Sequence, residues 1–594
     1  MTVIGIDLGT THSEVCFLKD GEPTMIAISG SALVPSVVSQ AADGRLLVGR
    51  AALNNELAAP QDTVRWIKRL MGTDRTVALG GKTWTPAMIS SLILRHLKEA
   101  AEEQLHSPVG QAVVTVPAFF SERAREDTRE AARLAGLEVL RLVNEPTAAA
   151  AAYARGNRRD ERWLVYDLGG GTFDVSIVAC AGEVLEVLAS HGDVLLGGHD
   201  FDRELARRAS EDFLKRHGLD LAQQPRAWAR LLRAAEAAKI QLSSDAEAVI
   251  REEHIATISG RDLHLEYAVR RTDFEAQIAP AIERTLSSVR QALAMAGCDS
   301  SAISRVLLVG GVTRTPLVQR LLREELGIEP QAWINPDTVV AQGAAIEAAA
   351  MAGERVSAAL VDITPHSIGV GALDAFLRLR NHILVRRNTP LPSTASQVFY
   401  KHDADQEAID IDIFQGESEI PERNQRIGTF RLDQLGHSQS REVHCRFDID
   451  RSGLLQVSIS DLGSGKSESR VIERPRAVQR ADLANLATVR LDAPEEVGED
   501  EHEDAWDGVA PDESLPLAGA SIAQPGAAPA AEDSDGAGGA DSAIDPLIAQ
   551  AGGLLARSDL DPADREELTI RLAGITAGDA EARARLSDLV YFLS

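Results

Sequence analysis

The chain predicts a large mixed α/β unit, then a small antiparallel β-sandwich, then an acidic stretch without a core and a short helical end. Three observations predict this. Apolar β-rich runs alternate with helical periodicity as far as Met351, which indicates an α/β architecture built on mixed sheets. Past Asp362 the period changes to two, as in Ala408 to Phe414, Arg446 to Asp450 and Leu455 to Ile459, which indicates half-buried antiparallel strands. Between Leu491 and Ala556 there is no Lys or Arg but sixteen Asp or Glu, so this stretch carries −16 of the net −28 and leaves −12 for everything else.

The α/β part is organised around two copies of one phrase. The first is Ile6-Asp7-Leu8-Gly9-Thr10-Thr11 and the second Tyr166-Asp167-Leu168-Gly169-Gly170-Gly171-Thr172-Phe173-Asp174. Each has a β-rich lead-in, a carboxylate where the strand ends, a Gly/Thr turn and a second apolar run. Such turns present backbone N–H groups and hydroxyls in a nest, and glycine lets the backbone approach a phosphate closely. Two nests suit a polyphosphate gripped from both sides. Asp7 and Asp167 are placed to hold a hard cation such as Mg²⁺ through its waters.

Between the two phrases come a short amphipathic helix over 62–72 with consecutive cations Lys68 and Arg69, a helix from Pro86 to Glu103, a buried strand stopped at Pro117, a charged helix from Glu122 to Ala135, and a strand leading to Asn144-Glu145-Pro146-Thr147. From spacing alone Lys68 reads as a solvated cation. Gly81-Lys82-Thr83 imitates the end of a P-loop, but Thr76 stands where its first glycine belongs, so it reads as a hairpin turn. The second phrase is followed by helical pattern from Asp200 to about Leu242, in which Glu236 and Lys239 share a face and read as a surface ion pair. A strand from Val306 enters another glycine turn, Gly310-Gly311, ahead of a helix whose N-terminus could face a nucleotide. Asn335-Pro336-Asp337 caps the last helix.

At 594 residues the chain has room for three or four domains. Its 44% hydrophobic and 25% charged residues are those of a soluble globular protein. The negative charge argues against a nucleic-acid partner, which needs clustered Lys and Arg. Cys16, Cys180, Cys298 and Cys445 form no paired motif, so neither a disulfide framework nor a zinc site is indicated and a reduced cytoplasm fits. The first strand leaves no room for a signal peptide, and no apolar run is long enough to cross a bilayer.

These residues resemble the DnaK-type heat shock protein 70 chaperone family, part of the actin, hexokinase and heat-shock ATPase superfamily, over about residues 1–480. The run Ile383 to Pro392 and the shortened end look closest to the specialised bacterial HscC-like branch. The resemblance implies an actin-like two-lobed ATPase domain over 1–354, an interdomain linker over 355–361, a peptide-binding β-sandwich over 362–475, a short helix over 476–491, an acidic disordered linker over 492–541 and a reduced helical lid over 542–594. It implies ATP and Mg²⁺ as cofactors, extended polypeptide clients, a J-domain cochaperone, an exchange factor, no nucleic acid or membrane partner, and a cytoplasmic monomer.

It also assigns roles. Lys68, Glu145, Asp167 and Thr172 would surround the γ-phosphate and the attacking water. Asp7, Gly9, Thr10, Thr11, Gly169, Gly170 and Gly171 would form the phosphate loops. Gly197, Gly198, Glu236, Lys239, Ser243, Gly310, Gly311, Arg314 and Asp337 would hold sugar, adenine and the adjacent phosphate. Val370, Leu373, Phe399, Ile409 and Ile411 would line the peptide groove. Pro117, Arg125 and Asp362 would relay between the two sites, and Arg141 and Asp362 would meet the cochaperone.

Departures from the family pattern carry their own expectations. Ile240 stands where an arginine usually stacks on adenine, and His12 and His199 replace other residues near the nucleotide, so nucleotide affinity should be weaker than typical. Ala358 and Ala359 replace large linker aliphatics, a loss of roughly 2 to 4 kcal/mol of docking, so coupling should be looser. The shortened end implies faster peptide exchange or a narrower client set. Two other readings compete: an adaptor for one dedicated partner, and a small-molecule kinase on the same ATPase fold.

Overall fold

The computed structural model describes residues 2–471 apart from 156–158, 332–333, 355–358, 375, 404–405, 434 and 436–439. The short helix, acidic linker and helical segment expected beyond the sandwich, and Ala358 in the linker, lie outside the described residues.

The first lobe starts with strands β1 (Val3–Asp7), β2 (His12–Lys19), β3 (Glu22–Met25) and β4 (Val34–Pro35). A small outer sheet follows, of β5 (Val38–Gln40), β6 (Leu46–Val48) and β7 (Thr63–Val64), with helix α1 (Arg50–Asn55) between its second and third strands. The expected amphipathic helix over 62–72 does not form. Trp66 takes a left-handed φ of 54°, which no helix tolerates in its interior, and only the 3₁₀ turn Ile67–Leu70 remains. The Gly81-Lys82 region is the turn of hairpin β8 (Val77–Leu79) and β9 (Lys82–Trp84), with Gly80 and Gly81 both at positive φ.

Helix α2 (Pro86–Leu105), capped by Thr85, leads to β10 (Gln111–Val116), α3 (Glu122–Leu134) and β11 (Glu138–Asn144). The central sheet runs β11-β10-β1-β2-β3, with β4 on β2. Helix α4 (Glu145–Tyr153) then crosses towards the second lobe.

There β12 (Glu161–Leu168), β13 (Phe173–Ala181), β14 (Val184–Asp193) and, later in the chain, β17 (Arg305–Val309) and β18 (Ala359–Val361) give the order β17-β12-β13-β14-β18. The helical stretch after β14 is two helices, α5 (Gly198–His217) and α6 (Pro225–Ser244), followed by the long hairpin β15 (Glu247–Ile258) and β16 (Arg261–Arg270) and by α7 (Arg271–Met295). Strand β17 (Arg305–Val309) enters a 3₁₀ turn, then α8 (Pro316–Leu326) and α9 (Val339–Met351).

The two phrases occupy equivalent places. β1 pairs parallel with β10 and antiparallel with β2, while β12 pairs parallel with β17 and antiparallel with β13. The lobes are tied at the back by α4 and α9. A side chain at Gly343 on α9 would meet the Ala148 carbonyl of α4 at 1.7 Å, so only glycine permits this crossing.

The linker is a strand rather than a free connection. β18 (Ala359–Val361) adds in parallel to the edge of the second lobe's sheet, Leu360 opposite Leu185. The sandwich follows as two four-stranded sheets. One holds β20 (Leu379–Val385), β19 (Ile368–Leu373), β22 (Ala408–Gln415) and β23 (Gln425–Asp433); the other holds β21 (Ser393–Tyr400), β24 (Glu442–Ile449), β25 (Leu455–Asp461) and β26 (Ser467–Val471). Period-two alternation puts Val443, Cys445, Phe447 and Ile449 inside, against Ile411, Ile413 and Phe430 of the facing sheet.

Candidate nucleotide site and its connection to the sandwich

The two Gly/Thr turns meet face to face. Added side chains at Gly170 and Gly171 would strike Thr11 Oγ1 at 1.9 Å and Thr10 Cγ2 at 2.3 Å, which explains why one turn carries glycines and the other small hydroxyls. Around them a cleft is lined by Asp7, Gly9, Thr10, Thr11, His12, Glu14, Lys68, Glu145, Asp167, Gly169, Gly170, Thr172, Gly310, Gly311 and Asp337. Nearly all the residues expected at the phosphates are thus brought together. Glu14 is the acid that sequence reasoning missed.

Lys68 is not a solvated cation. It is 4% exposed and donates to Glu145 Oε1. Burial opposes its charge, but Glu145, Asp7 and Asp167 outweigh burial and raise its pKa. Burial likewise lifts Glu145 above the usual carboxylate range, against the pull of Lys68. Asp167 is raised by burial and then by Glu145, Asp174 and Asp7. Asp7 Oδ1 accepts from Thr115 Oγ1 at 2.7 Å. Glu14 is raised well above the usual range by burial and by Asp7. The site is therefore acid-rich; no three acids among the described residues are gathered closely enough to hold a metal ion by themselves, and Asp7 and Asp167 offer oxygen donors that suit a hydrated divalent cation.

Towards the sugar side the expected residues flank the cleft. Gly198 N donates to Gly169 O at 3.0 Å, and Gly197 packs against Gly171 too tightly for any side chain. Glu236 and Lys239 do not pair with each other as a surface couple. Glu236 is 3.4 Å from Arg65, and Lys239 is 2.7 Å from Asp202 and donates to Gly198 O at 3.3 Å. Ser243 stands one turn farther along α6, half-buried. Arg314 donates to Asp337 Oδ2 at 2.8 Å. Ile240 is 63% exposed. His199 stacks on Trp66 with ring centroids 3.6 Å apart, and burial, followed by Arg69, holds its pKa well below normal. Burial also lowers the pKa of His12. Arg69 bridges the lobes, donating to Gly171 O at 2.9 Å and Asp200 Oδ1 at 3.0 Å.

A chain of buried contacts leads from this cleft to the sandwich. Phe119 N donates to Asp174 Oδ1 at 3.1 Å, and Phe119 O lies 3.1 Å from His366 Nε2 at the start of the sandwich. Phe120 N donates to Pro117 O at 3.2 Å, which fixes the bend after β10. Arg125, 3% exposed, donates to Ala118 O, to Asn144 Oδ1 and to Ser452 O. Asn144 Nδ2 donates to Asp362 Oδ1 at 2.7 Å. Leu455 N donates to Glu122 Oε1 at 2.9 Å, and Glu122 N to Gln415 Oε1 at 3.2 Å.

The facing glycine turns, the cleft, the β18 strand and the two-sheet sandwich all lie within the stretch that one family model matches. The model for Hsp70 protein matches residues 3–507. The chain belongs to the Hsp70 family. Proteins of this family are ATPases that bind ATP with Mg²⁺, act as chaperones, and bind unfolded clients and J-domain cochaperones.

The residues expected at the cochaperone and at the peptide lie mostly out of solvent. Arg141 and Asp362 do not present a surface to a cochaperone in this arrangement: Arg141 is 5% exposed and ion-paired with Glu347, and Asp362 is 3% exposed against Asn144. The five groove residues do not form one exposed strip. Val370 and Ile411 are buried in the sandwich core, Phe399 and Ile409 pack half-buried against it, and only Leu373 is open, at 51%. Among the described residues no helix is long and apolar enough to cross a membrane.

Proposed function

We propose that this Hsp70 couples ATP hydrolysis in the cleft to capture and release of extended apolar polypeptide by the sandwich. The observation that carries this reading is the buried sequence of contacts from Asp174 through Phe119 to His366, and from Arg125 through Asn144 to Asp362 and Ser452. Any change at the phosphate turns that moves β10 or α3 moves groups that the sandwich also holds.

At the cleft, Thr10, Thr11 and the Gly169–Thr172 turn would cradle the phosphates, and Lys68 would face the charge that develops on transfer. Glu145, held by Lys68, would orient the attacking water, so that catalysis is positioning and charge stabilisation rather than covalent chemistry. Asp7 and Asp167 would hold Mg²⁺, which neutralises charge on the phosphate oxygens when bound. In the sandwich, Leu373 stands beside Phe376 and Leu377, 77% and 66% exposed at the tip of the β19–β20 hairpin, an apolar rim suited to a client side chain. The four unpaired cysteines accord with a reducing compartment such as the cytoplasm. The Ile383–Pro392 run supports placing the chain with the HscC-like branch.

The test is dissociation of a fluorescent apolar peptide after addition of Mg-ATP, with Mg-ADP and the Lys68→Ala protein alongside. Mg-ATP should accelerate release and Mg-ADP should not, and Lys68→Ala should lose turnover. ATP hydrolysis without any change in release would overturn the clamp and leave the dedicated adaptor as the better account.

A further inference from the structure

Trp66 and His199 have no part in the function just described, and they come from opposite lobes. Trp66 stands just after β7, two residues before Lys68, and His199 in the first turn of α5, beside Gly197 and Gly198. Their rings stack with centroids 3.6 Å apart and 26° between the planes. Trp66 packs against the core of the second lobe, and among the described residues it is the only member of that cluster drawn from the first lobe. Its backbone sits at φ 54° and ψ 26°, a left-handed setting that a bulky residue keeps only where its surroundings impose it. Two ion pairs beside the stack also cross between the lobes, Arg65 to Glu236 at 3.4 Å and Arg69 to Asp200 at 3.0 Å. Asp200 in turn accepts from Gly197 N at 2.8 Å. The short stretch that carries Lys68 thus grips the glycine loop on the sugar side.

We propose that Trp66 and His199 form a clasp between the lobes that closes the sugar side of the cleft and sets the rate at which bound nucleotide leaves. This deepens the ATPase reading and rests on it. Nucleotide held between the phosphate turns and the helices α5 and α6 leaves as the lobes separate, and the stack is lost in that movement. His199 is 4% exposed, and burial together with Arg69, Arg203, Arg65 and Lys239 holds its imidazole neutral. The clasp is therefore a stack of two uncharged rings rather than an ion pair. When it opens, Trp66 also loses the surface that imposes its left-handed backbone, so ring and turn let go together. Nucleotide is retained in this way through the protein's own rings, without a contact to the base.

The experiment is release of tritiated ADP, chased with unlabelled ADP in the presence of Mg²⁺, from the full chain as wild type, His199→Ala, His199→Phe and Trp66→Gly. Each of His199→Ala and Trp66→Gly should release ADP roughly 2- to 12-fold faster than wild type, the worth of one aromatic pair. His199→Phe restores a ring against Trp66 and should release ADP at nearly the wild-type rate, a rescue that a general loosening of the lobe would not show. If His199→Ala does not fold, Trp66→Gly carries the test, because glycine takes this backbone without strain and brings no ring. Wild-type release rates in the folded variants overturn the proposal, as does release from His199→Phe as fast as from His199→Ala. A wild type that binds no ADP would overturn the ATPase reading and the clasp with it, a result distinct from ADP that binds and leaves all four proteins alike.

Discussion

Ile240 shows how one side chain sets the strength of a site whose backbone is already built. It lies 63% exposed on α6, one residue past Lys239, where a guanidinium could lie flat on a nucleotide base. Restoring the cation in Ile240→Arg should add about 0.5 to 1 kcal/mol of stacking, a roughly two- to fivefold tighter ADP complex by calorimetry. An unchanged affinity would mean that the base does not lie over this turn of α6. The residues of the phosphate turns were legible in the sequence because the same Gly/Thr turn between apolar strands occurs twice. Lys68 was not, since its neighbours in sequence resemble a solvated face, and its burial is made tolerable by Glu145, brought in at the start of α4, together with Asp7 and Asp167. Glu14 was legible in principle. Antiparallel pairing across the first turn puts it opposite Asp7, but the pairing has to be drawn before the acid stands out.

The linker carries the same lesson for whole elements. Its small residues predicted weak docking through lost side-chain burial, yet β18 docks through its backbone, with Ala359 N donating to Glu183 O at 2.7 Å and Ala359 itself exposed. The three-residue run was too short to be read as a strand, and its partner β14 lies far earlier in the chain. Ala359→Val should therefore change domain coupling little, within about 0.5 kcal/mol. Ala359→Pro removes the N–H that donates to Glu183 O and should abolish ATP-accelerated peptide release while ATP hydrolysis persists. Release kinetics of the two variants side by side check this. A larger loss in Ala359→Val than in Ala359→Pro would return the docking energy to the side chains. The 3₁₀ turn at Ile67–Leu70 is the second such case, where one left-handed residue, Trp66, ends an otherwise acceptable helical pattern.

At the scale of the whole molecule, the contact between the ATPase domain and the sandwich should respond to pH through Glu122. Its carboxylate accepts from Leu455 N across the interface, and burial pushes its pKa up to about 7, with Arg125 pulling the other way and Asp450 and Glu126 adding to the rise. With the sandwich withdrawn, Glu122 becomes an ordinary first-turn carboxylate near 4.5. Between those two values the docked form holds a proton that the separated form has lost, so docking takes up a proton. Below about 4.5 the carboxyl is protonated in both forms and carries no penalty, and the penalty grows as pH rises through the window and is complete above about 7. Its ceiling is about 3 kcal/mol, from the difference between the two pKa values. His366, whose ring packs edge-on against Phe119, is pushed down to about 4 by burial and stays neutral across this window. Hydrogen exchange at the Leu455 amide, corrected for its intrinsic rate, should therefore show stronger protection at pH 5.5 than at pH 7.5 in wild type. Glu122→Gln, which cannot ionise, should keep the same protection at both. If wild type and Glu122→Gln follow one curve, Glu122 does not titrate at the interface, and the acid serves only as the acceptor for Leu455.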